Sequence, residues 1–388
     1  MSERHNVYRR HICLLVATAA AYSMSTLFSA MKPVLLTRFV EEHGWSDALA
    51  GLAVATPFIG IAIAAMIAPL TSKVSVRSLA IVLGIALIVS ELASAYVHAY
   101  ATGLIALQLV GGIAVGALMG ASSRQIAMTE KSGPLFGAAD MVGVLLMSSM
   151  IAGVGWAVGE AGLRGGYLVA ALIASVLVVF MLPYRGAALA TDDSKPASPL
   201  VVTRQGIAVV AMAVVFITSS GLGFTYMFTI AQGLGASYAE AGSGIGILLL
   251  VSALACLAGG WVSERVGPRR PLAVAFVVCA LGWYGVVHAT ALTMFYVALV
   301  PAVLALQFNF PVLLDLAGSL DDEGRWGAIA APLQTSGFAW AAILAGAIVG
   351  EFGVNAIPPA TAIGMAICLV LLTQSRAPAM SQLNASST

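Results

Sequence analysis

The sequence predicts an all-α membrane protein: twelve transmembrane helices in two pseudo-symmetric six-helix bundles. Three observations carry this expectation. Of the 388 residues, 60% are hydrophobic and only 9% charged, with a mean hydropathy of +0.98. The apolar segments are long and continuous, without the short alternation of barrel strands. And 15 of the 18 Lys and Arg fall in alternate loops. A soluble domain of this size has no means of solvating such a surface, and in lipid only helices or closed barrels satisfy the backbone.

At about 20 residues per crossing, the spans follow in order. The first, Ile12–Leu36, is too long for a cleaved signal peptide. Ala48–Leu70, Leu79–His98, Gly103–Ser122, Pro134–Val158 and Gly166–Leu182 complete a first half. The second half comprises Ile207–Ala231, Ala241–Val262, Leu272–His288, Leu292–Leu316, Gly327–Gly350 and Ile357–Thr373. The junctions between spans three and four, and between nine and ten, are very short. Between the halves, residues 185–205 hold Asp192, Asp193, Lys195, Pro196 and Pro199. This composition reads as a cytoplasmic linker. The expected organisation is therefore a first bundle over 1–184, the linker, a second bundle over 206–375, and a small polar disordered tail over 376–388.

Orientation follows from the basic residues. With both termini in the cytoplasm, Arg4, Arg9, Arg10, Lys73, Arg77, Arg124 and the other inner-loop cations face inward. Only Arg38 and Arg164 fall in outer loops, and Lys32 falls inside a span. This satisfies the positive-inside rule and an even number of spans. The expected location is the inner (plasma) membrane.

An internal repeat supports two equivalent halves. A shift of 191 residues carries Ser46 onto Ser237, Gly51 onto Gly242, Ser72 onto Ser263, Gly155 onto Gly346, Gly159 onto Gly350 and Glu160 onto Glu351. Single small-residue matches mean little in apolar sequence. Paired Gly-Glu ends at matched distances from matched loops mean more.

The motif with most information closes the eighth span: Gly259-Gly260-Trp261-Val262-Ser263-Glu264-Arg265-Val266-Gly267-Pro268-Arg269-Arg270. A short charged, glycine-bearing loop between two membrane-length segments resembles the signature loop of the major facilitator superfamily, twelve-helix secondary transporters. The resemblance implies tight turns at Gly260 and Gly267. It also implies a cytoplasmic gate in which Glu264 caps a neighbouring helix and pairs with arginine. Arg265, Arg269, Arg124 and Asp315 are the other gating candidates. The first-half counterpart, Ala68 to Arg77, is degenerate: Lys73 occupies the region where the family usually has an acid. Proton-driven drug exporters of the family usually carry an arginine in span four and a Gly-Pro pair in span five. Here Gln108 stands nearest the arginine position, before Gly111, Gly112 and Gly116, and Gly153, Gly155 and Gly159 have no proline among them.

Charges inside spans are costly and default to functional candidates. Lys32 lies near the outer end of span one, where snorkelling to the interface is the competing explanation. Tyr22, Ser25, Ser29 and Lys32 share one helical face. Glu91, well inside span three, and Asp140, two turns into span five, are the proton-coupling candidates, because an apolar surround favours the neutral carboxyl. Glu91 ranks first, being farther from the arginine-rich inner face. Spans that line the cavity in this family carry polar and aromatic residues, which adds Gln108, Tyr226, Gln307, Asn309, Gln334 and Trp340 to the substrate-binding candidates. Interhelical hydrogen bonding is the plainer explanation for the amides.

Other classes lack support. There is no HExxH, GxSxG or P-loop, so no enzyme is expected and transport must run on a gradient. The five histidines, His5, His11, His43, His98 and His288, are scattered and form no metal-ligand spacing, so neither metal nor cofactor is expected. All four cysteines lie in apolar segments and read as packing residues. A net charge of +1 gives no affinity for nucleic acid. The expected partners are the bilayer, a small-molecule substrate and protons, and the expected state is a monomer. The function read from these residues is alternating-access transport of a small organic anion, a carboxylate, with protons. The alternative is export of amphipathic drugs or metabolites by proton antiport, suggested by a Met-rich lining (Met24, Met119, Met147, Met227).

Overall fold

A computed structural model describes residues 2–67, 76–127, 132–184, 202–320 and 325–375. Those residues form helices and short turns, and no strand occurs among them. The helices are α1 (Ser2–His43), α2 (Asp47–Ile67), α3 (Val76–Val97) and α4 (Ala101–Ala127), then a helical run Ser132–Met181. The second half contains α7 (Arg204–Gly233), α8 (Tyr238–Val266), α9 (Arg269–Val287), α10 (Leu292–Gly318), α11 (Arg325–Phe352) and α12 (Ile357–Gln374). A 3-10 turn, Val354–Ala356, joins the last two.

The run Ser132–Met181 contains two crossings. Its apolar stretch Ala138–Met181 has 44 residues, about 66 Å as one helix, twice the ~30 Å hydrocarbon core. Ala161 (φ −132°, ψ 19°) and Gly162 (φ 63°, ψ −159°) leave helical geometry. Glycine adopts this positive φ without steric cost. The chain folds back there: Gly166 meets Val158 and Val154, which in one continuous helix would lie two to three turns away. The segments 132–160 and 163–181 are α5 and α6. Among the described residues, eleven membrane-length helices thus supply twelve crossings.

The repeat is visible in how the bundles meet. Ser46 accepts a hydrogen bond from the Leu49 N–H (3.3 Å) at the start of α2. Its repeat partner Ser237 caps α8 in a full capping box with Glu240. One turn on, a Cβ on Gly51 would sit 3.2 Å from the Gly346 Cα of α11, and one on Gly155 would sit 3.3 Å from the Gly242 Cα of α8. The 191-residue shift exchanges these pairs. The α2·α11 and α5·α8 seams are therefore one contact made twice, with small residues letting backbones approach. Gly112 and Gly116 do the same inside the first bundle, pressing α4 on the α2 backbone at Pro57 and Ile61.

Three expectations change. Helix α1 runs to His43 rather than ending at Leu36, because Arg38 pairs with Glu42 (2.9 Å) and Glu41 (3.5 Å) on the helix itself and carries the helix through an apparently polar loop. Gly260 sits inside α8, and only Gly267 (φ 76°) makes a turn. Arg164 lies within α6 rather than in a loop. Residues 68–75, 185–201 and 376–388, which hold the first-half loop, most of the linker and the tail, lie outside the described residues.

Candidate functional site between the bundles

The extra turns of α1 change the setting of Lys32. It lies 11 residues before His43, about 16 Å along the axis, and is only 1% exposed. Its ammonium has no hydrogen-bond partner. Three rings surround it: Phe58 of α2 at 5.7 Å, Phe224 of α7 at 5.5 Å and Phe338 of α11 at 5.0 Å from Nζ to the ring centre. Phe58 and Phe338 also contact each other across the seam, 5.5 Å between centres. The cage thus draws on both bundles. Cation–π attraction offsets part of the desolvation of the ammonium, and no acceptor supplies the rest. Snorkelling to the membrane surface does not occur: Lys32 points into the interface between bundles.

From this level toward the α1–α2 turn the bundles are bonded together. Thr37 of α1 and Thr229 of α7 share a hydrogen bond of 2.9 Å. Tyr226 donates to Asp47 at 2.8 Å, and Tyr238 donates to Glu41 at 2.8 Å. The Arg38 guanidinium lies over the Tyr238 ring, 5.7 Å from its centre. Tyr226 therefore belongs to this closure, with its hydroxyl committed to Asp47.

The other candidates separate. Ser25 (8% exposed) and Ser29 (6%) share the buried face of α1 with Lys32, and Tyr22 lies beside Gly143 of α5. Gln108 faces α3 instead of a cavity: its amide donates to Glu91 (3.3 Å) and Ser94 (3.1 Å). Glu91 is 0% exposed, so the pair forms a polar core within the first bundle. Asp140 is half-buried and lies close enough to Cys256 of α8 for electrostatic interaction. The Cys256 thiol in turn points at Gln307 of α10, 4.0 Å away. Asn309 is fully buried, and neither atom of its amide has a partner. Gln334 donates to the Phe310 carbonyl (3.4 Å) while its own oxygen is unsatisfied. Trp340 is misplaced by the expectation. It stands two residues, some 200°, from Phe338 on α11, and its 52% exposure puts it on the outer surface.

Of the gating residues, the side chains of Arg124 and Glu264 lie outside the described residues. Arg265 stacks on Trp261 of its own helix at 3.7 Å. Arg269 donates to the Ser375 carbonyl (2.7 Å), tying α9 to α12 within the second bundle. Asp315 is exposed near the end of α10. Sequence reasoning missed Phe58, Phe338, Asp47, Glu41 and Tyr238. The repeat held a clue to two of them, since the 191-residue shift carries Asp47 onto Tyr238, each just after a capping serine. It also missed a histidine pair: Nε2 of His43 and Nδ1 of His98 lie 2.9 Å apart, brought together by the ends of α1 and α3.

The profile of the Major Facilitator Superfamily matches residues 13–345. The fold is shared with solved transporters at low identity. A D-xylose-proton symporter superposes with a TM-score of 0.75 at 15% identity, covering 95% of this chain and 99% of that one. A nucleoside transporter gives 0.67 at 13% identity, covering 93% and 98%. A bacterial homologue of the human lysosomal transporter Spinster, inward-facing and unoccupied, gives 0.67 at 15% identity, covering 94% and 95%. No curated sequence matches the chain. The chain belongs to the Major Facilitator Superfamily. It is an integral membrane transporter, not an enzyme.

Proposed function

We propose that this chain is a secondary active transporter of a small organic anion, a carboxylate, moved with protons by alternating access. The observation that carries this reading is the Lys32 ammonium, buried at the meeting of the two bundles without an acceptor. A resident ammonium with no partner is costly, and a substrate carboxylate entering between the bundles supplies the missing charge-assisted bond. The Phe58, Phe224 and Phe338 rings then pack against the organic body of the substrate. Gln307, Asn309 and Gln334 offer the polar groups that orient it.

In this reading both termini lie in the cytoplasm, as the positive-inside distribution supports, the protein sits in the inner membrane as a monomer, and residues 185–205 link the bundles. In that orientation the Asp47, Glu41 and Thr37 contacts close the outside, and the conformation is inward-facing. On the opposite side Arg265 stacks on its own helix and Arg269 bonds within the second bundle, which supports that reading. A proton carrier must see both sides in turn. Asp140, near Cys256 across the bundle interface, meets that condition better than Glu91, which is sealed within one bundle.

The three-ring cage supports a second reading, export of amphipathic drugs or metabolites by proton antiport, since aromatic walls also take flat apolar bodies. Proteoliposome uptake and counterflow distinguish the two. We expect a carboxylate panel to be accumulated under an inward proton gradient, with Lys32→Ala raising the half-saturation concentration at least ~10-fold, the scale of one charged interaction. Transport of amphipathic cations but no carboxylate would reject the anion reading.

A further inference from the structure

We propose that Glu42, His43 and His98 form a binding site for a divalent transition metal of the zinc class, at the end of the first bundle beside the α1–α2 turn. One imidazole or carboxylate atom from each residue lies within 4.8 Å of the others. The two imidazole nitrogens are already 2.9 Å apart, with the rings stacked at 5.1 Å. Tetrahedral zinc with bonds near 2.0–2.1 Å holds its ligand atoms roughly 3.3 Å apart. Tetrahedral ligation therefore takes about 0.4 Å of separation and a tilt of both rings that turns their nitrogens from each other toward the metal, which replaces the proton they now share. Imidazole with carboxylate is a donor set that suits zinc, nickel and copper and leaves calcium and magnesium poorly served.

The ligands are held from outside the cluster. His43 packs against Trp45 (5.6 Å between ring centres) and Phe39 (6.4 Å), which stack on each other at 4.6 Å. One Glu42 oxygen takes hydrogen bonds from Arg38 (2.9 Å) and the Leu163 N–H (3.3 Å), fixing the carboxylate beside the α5–α6 turn. Such outer partners orient ligands and raise affinity. The three ligands come from α1 and the α3–α4 turn, and 55 residues separate the histidines, so local spacing gives no hint of them. The site adjoins the bundle closure, because Arg38 serves Glu42 and also lies over Tyr238 of α8. The proposal is independent of what the transporter carries.

The test is isothermal titration of Zn2+ into the full chain in detergent micelles. We expect one saturable site, weakened at least ~10-fold by His98→Ala and by His43→Ala, a loss at least as large as that of an outer-sphere partner. His98→Cys, which offers a thiolate instead, should keep binding. His288→Ala should change nothing, as that ring is bonded to the Tyr284 carbonyl of its own helix. No saturable binding to the parent chain, or affinities within ~2-fold in both alanine variants, overturns the site. Should an alanine variant misfold, Cu2+ quenching decides. Quenching of the parent chain should be markedly reduced in Trp45→Phe, and equal quenching of the two places the metal elsewhere.

Discussion

Lys32 and Glu91 look alike in the sequence: one charge each, within an apolar span. In the fold they are opposites. One oxygen of Glu91 is met by Gln108, which also reaches Ser94, inside a single bundle, while the other Glu91 oxygen has no partner. Lys32 has three aromatic rings and no acceptor, at a place that only two bundles together create. A buried carboxyl with one polar partner inside a bundle costs less than an ammonium with no hydrogen-bond partner at a seam between bundles, where an entering ligand can supply one. The difference supports the proposal that Lys32, rather than Glu91, serves transport.

The comparison breaks first on stability. Lys32→Met keeps an unbranched apolar side chain and removes the stranded charge. We expect it to raise the thermal midpoint of the detergent-solubilised protein while abolishing carboxylate transport, since sites poised for function are commonly destabilising. Glu91→Leu should lower the midpoint slightly, because it removes one of the two bonds made by the Gln108 amide, worth about 0.5–1.5 kcal/mol, and leaves Ser94 as its acceptor. Midpoints moving in the same direction for the two variants would show that the contrast is false.

Proton coupling sharpens it next. Asp140→Asn should end accumulation under a proton gradient and keep substrate exchange between liposome compartments. Glu91→Gln, which retains the amide-compatible hydrogen bonds, should accumulate substrate nearly as the parent does. Loss of gradient-driven accumulation in Glu91→Gln alone would move the coupling site from the bundle interface into the core of the first bundle.

Why the sequence distinguished so little here is a matter of range. Hydropathy and charge bias gave the helices, their number and the repeat, because these depend on each segment against lipid. The α5–α6 turn was legible for the same reason: 44 apolar residues are too many for one crossing. What a helix end does is set by neighbours. The polar turn after Leu36 resembled a loop until the Arg38–Glu42 pair kept it helical, and that error alone turned Lys32 into a snorkelling candidate. Gln108 and Trp340 entered the candidate set because their spans carry polar and aromatic residues, and membership of a span does not say which way a side chain faces. Phe58 and Phe338 carry no signal as single apolar residues. The His43–His98 pair arises from helix ends that chain distance keeps apart.

The smallest effects come from the closure beside the α1–α2 turn, where two tyrosines do similar work in different surroundings. Tyr226 donates to Asp47, which is half-buried, and Tyr238 donates to Glu41, whose side chain is 44% exposed. A net hydrogen bond is worth about 0.5–1.5 kcal/mol, more to a charged acceptor and less where water competes. Removing one hydroxyl therefore shifts the balance between closed and open conformers by roughly 2- to 10-fold, since each 1.4 kcal/mol is a factor of ten. Tyr226→Phe should give the larger shift and Tyr238→Phe the smaller, because Glu41 recovers water on losing its partner and keeps Arg38 beside it at 3.5 Å. Spin labels at Ala48 and Glu351, at the ends of α2 and α11 beside the Gly51–Gly346 contact, report the opening as a second, longer distance population. Its fraction should rise in the order parent, Tyr238→Phe, Tyr226→Phe. If both variants match the parent, the close glycine packing of the two seams holds the outside shut without the tyrosines.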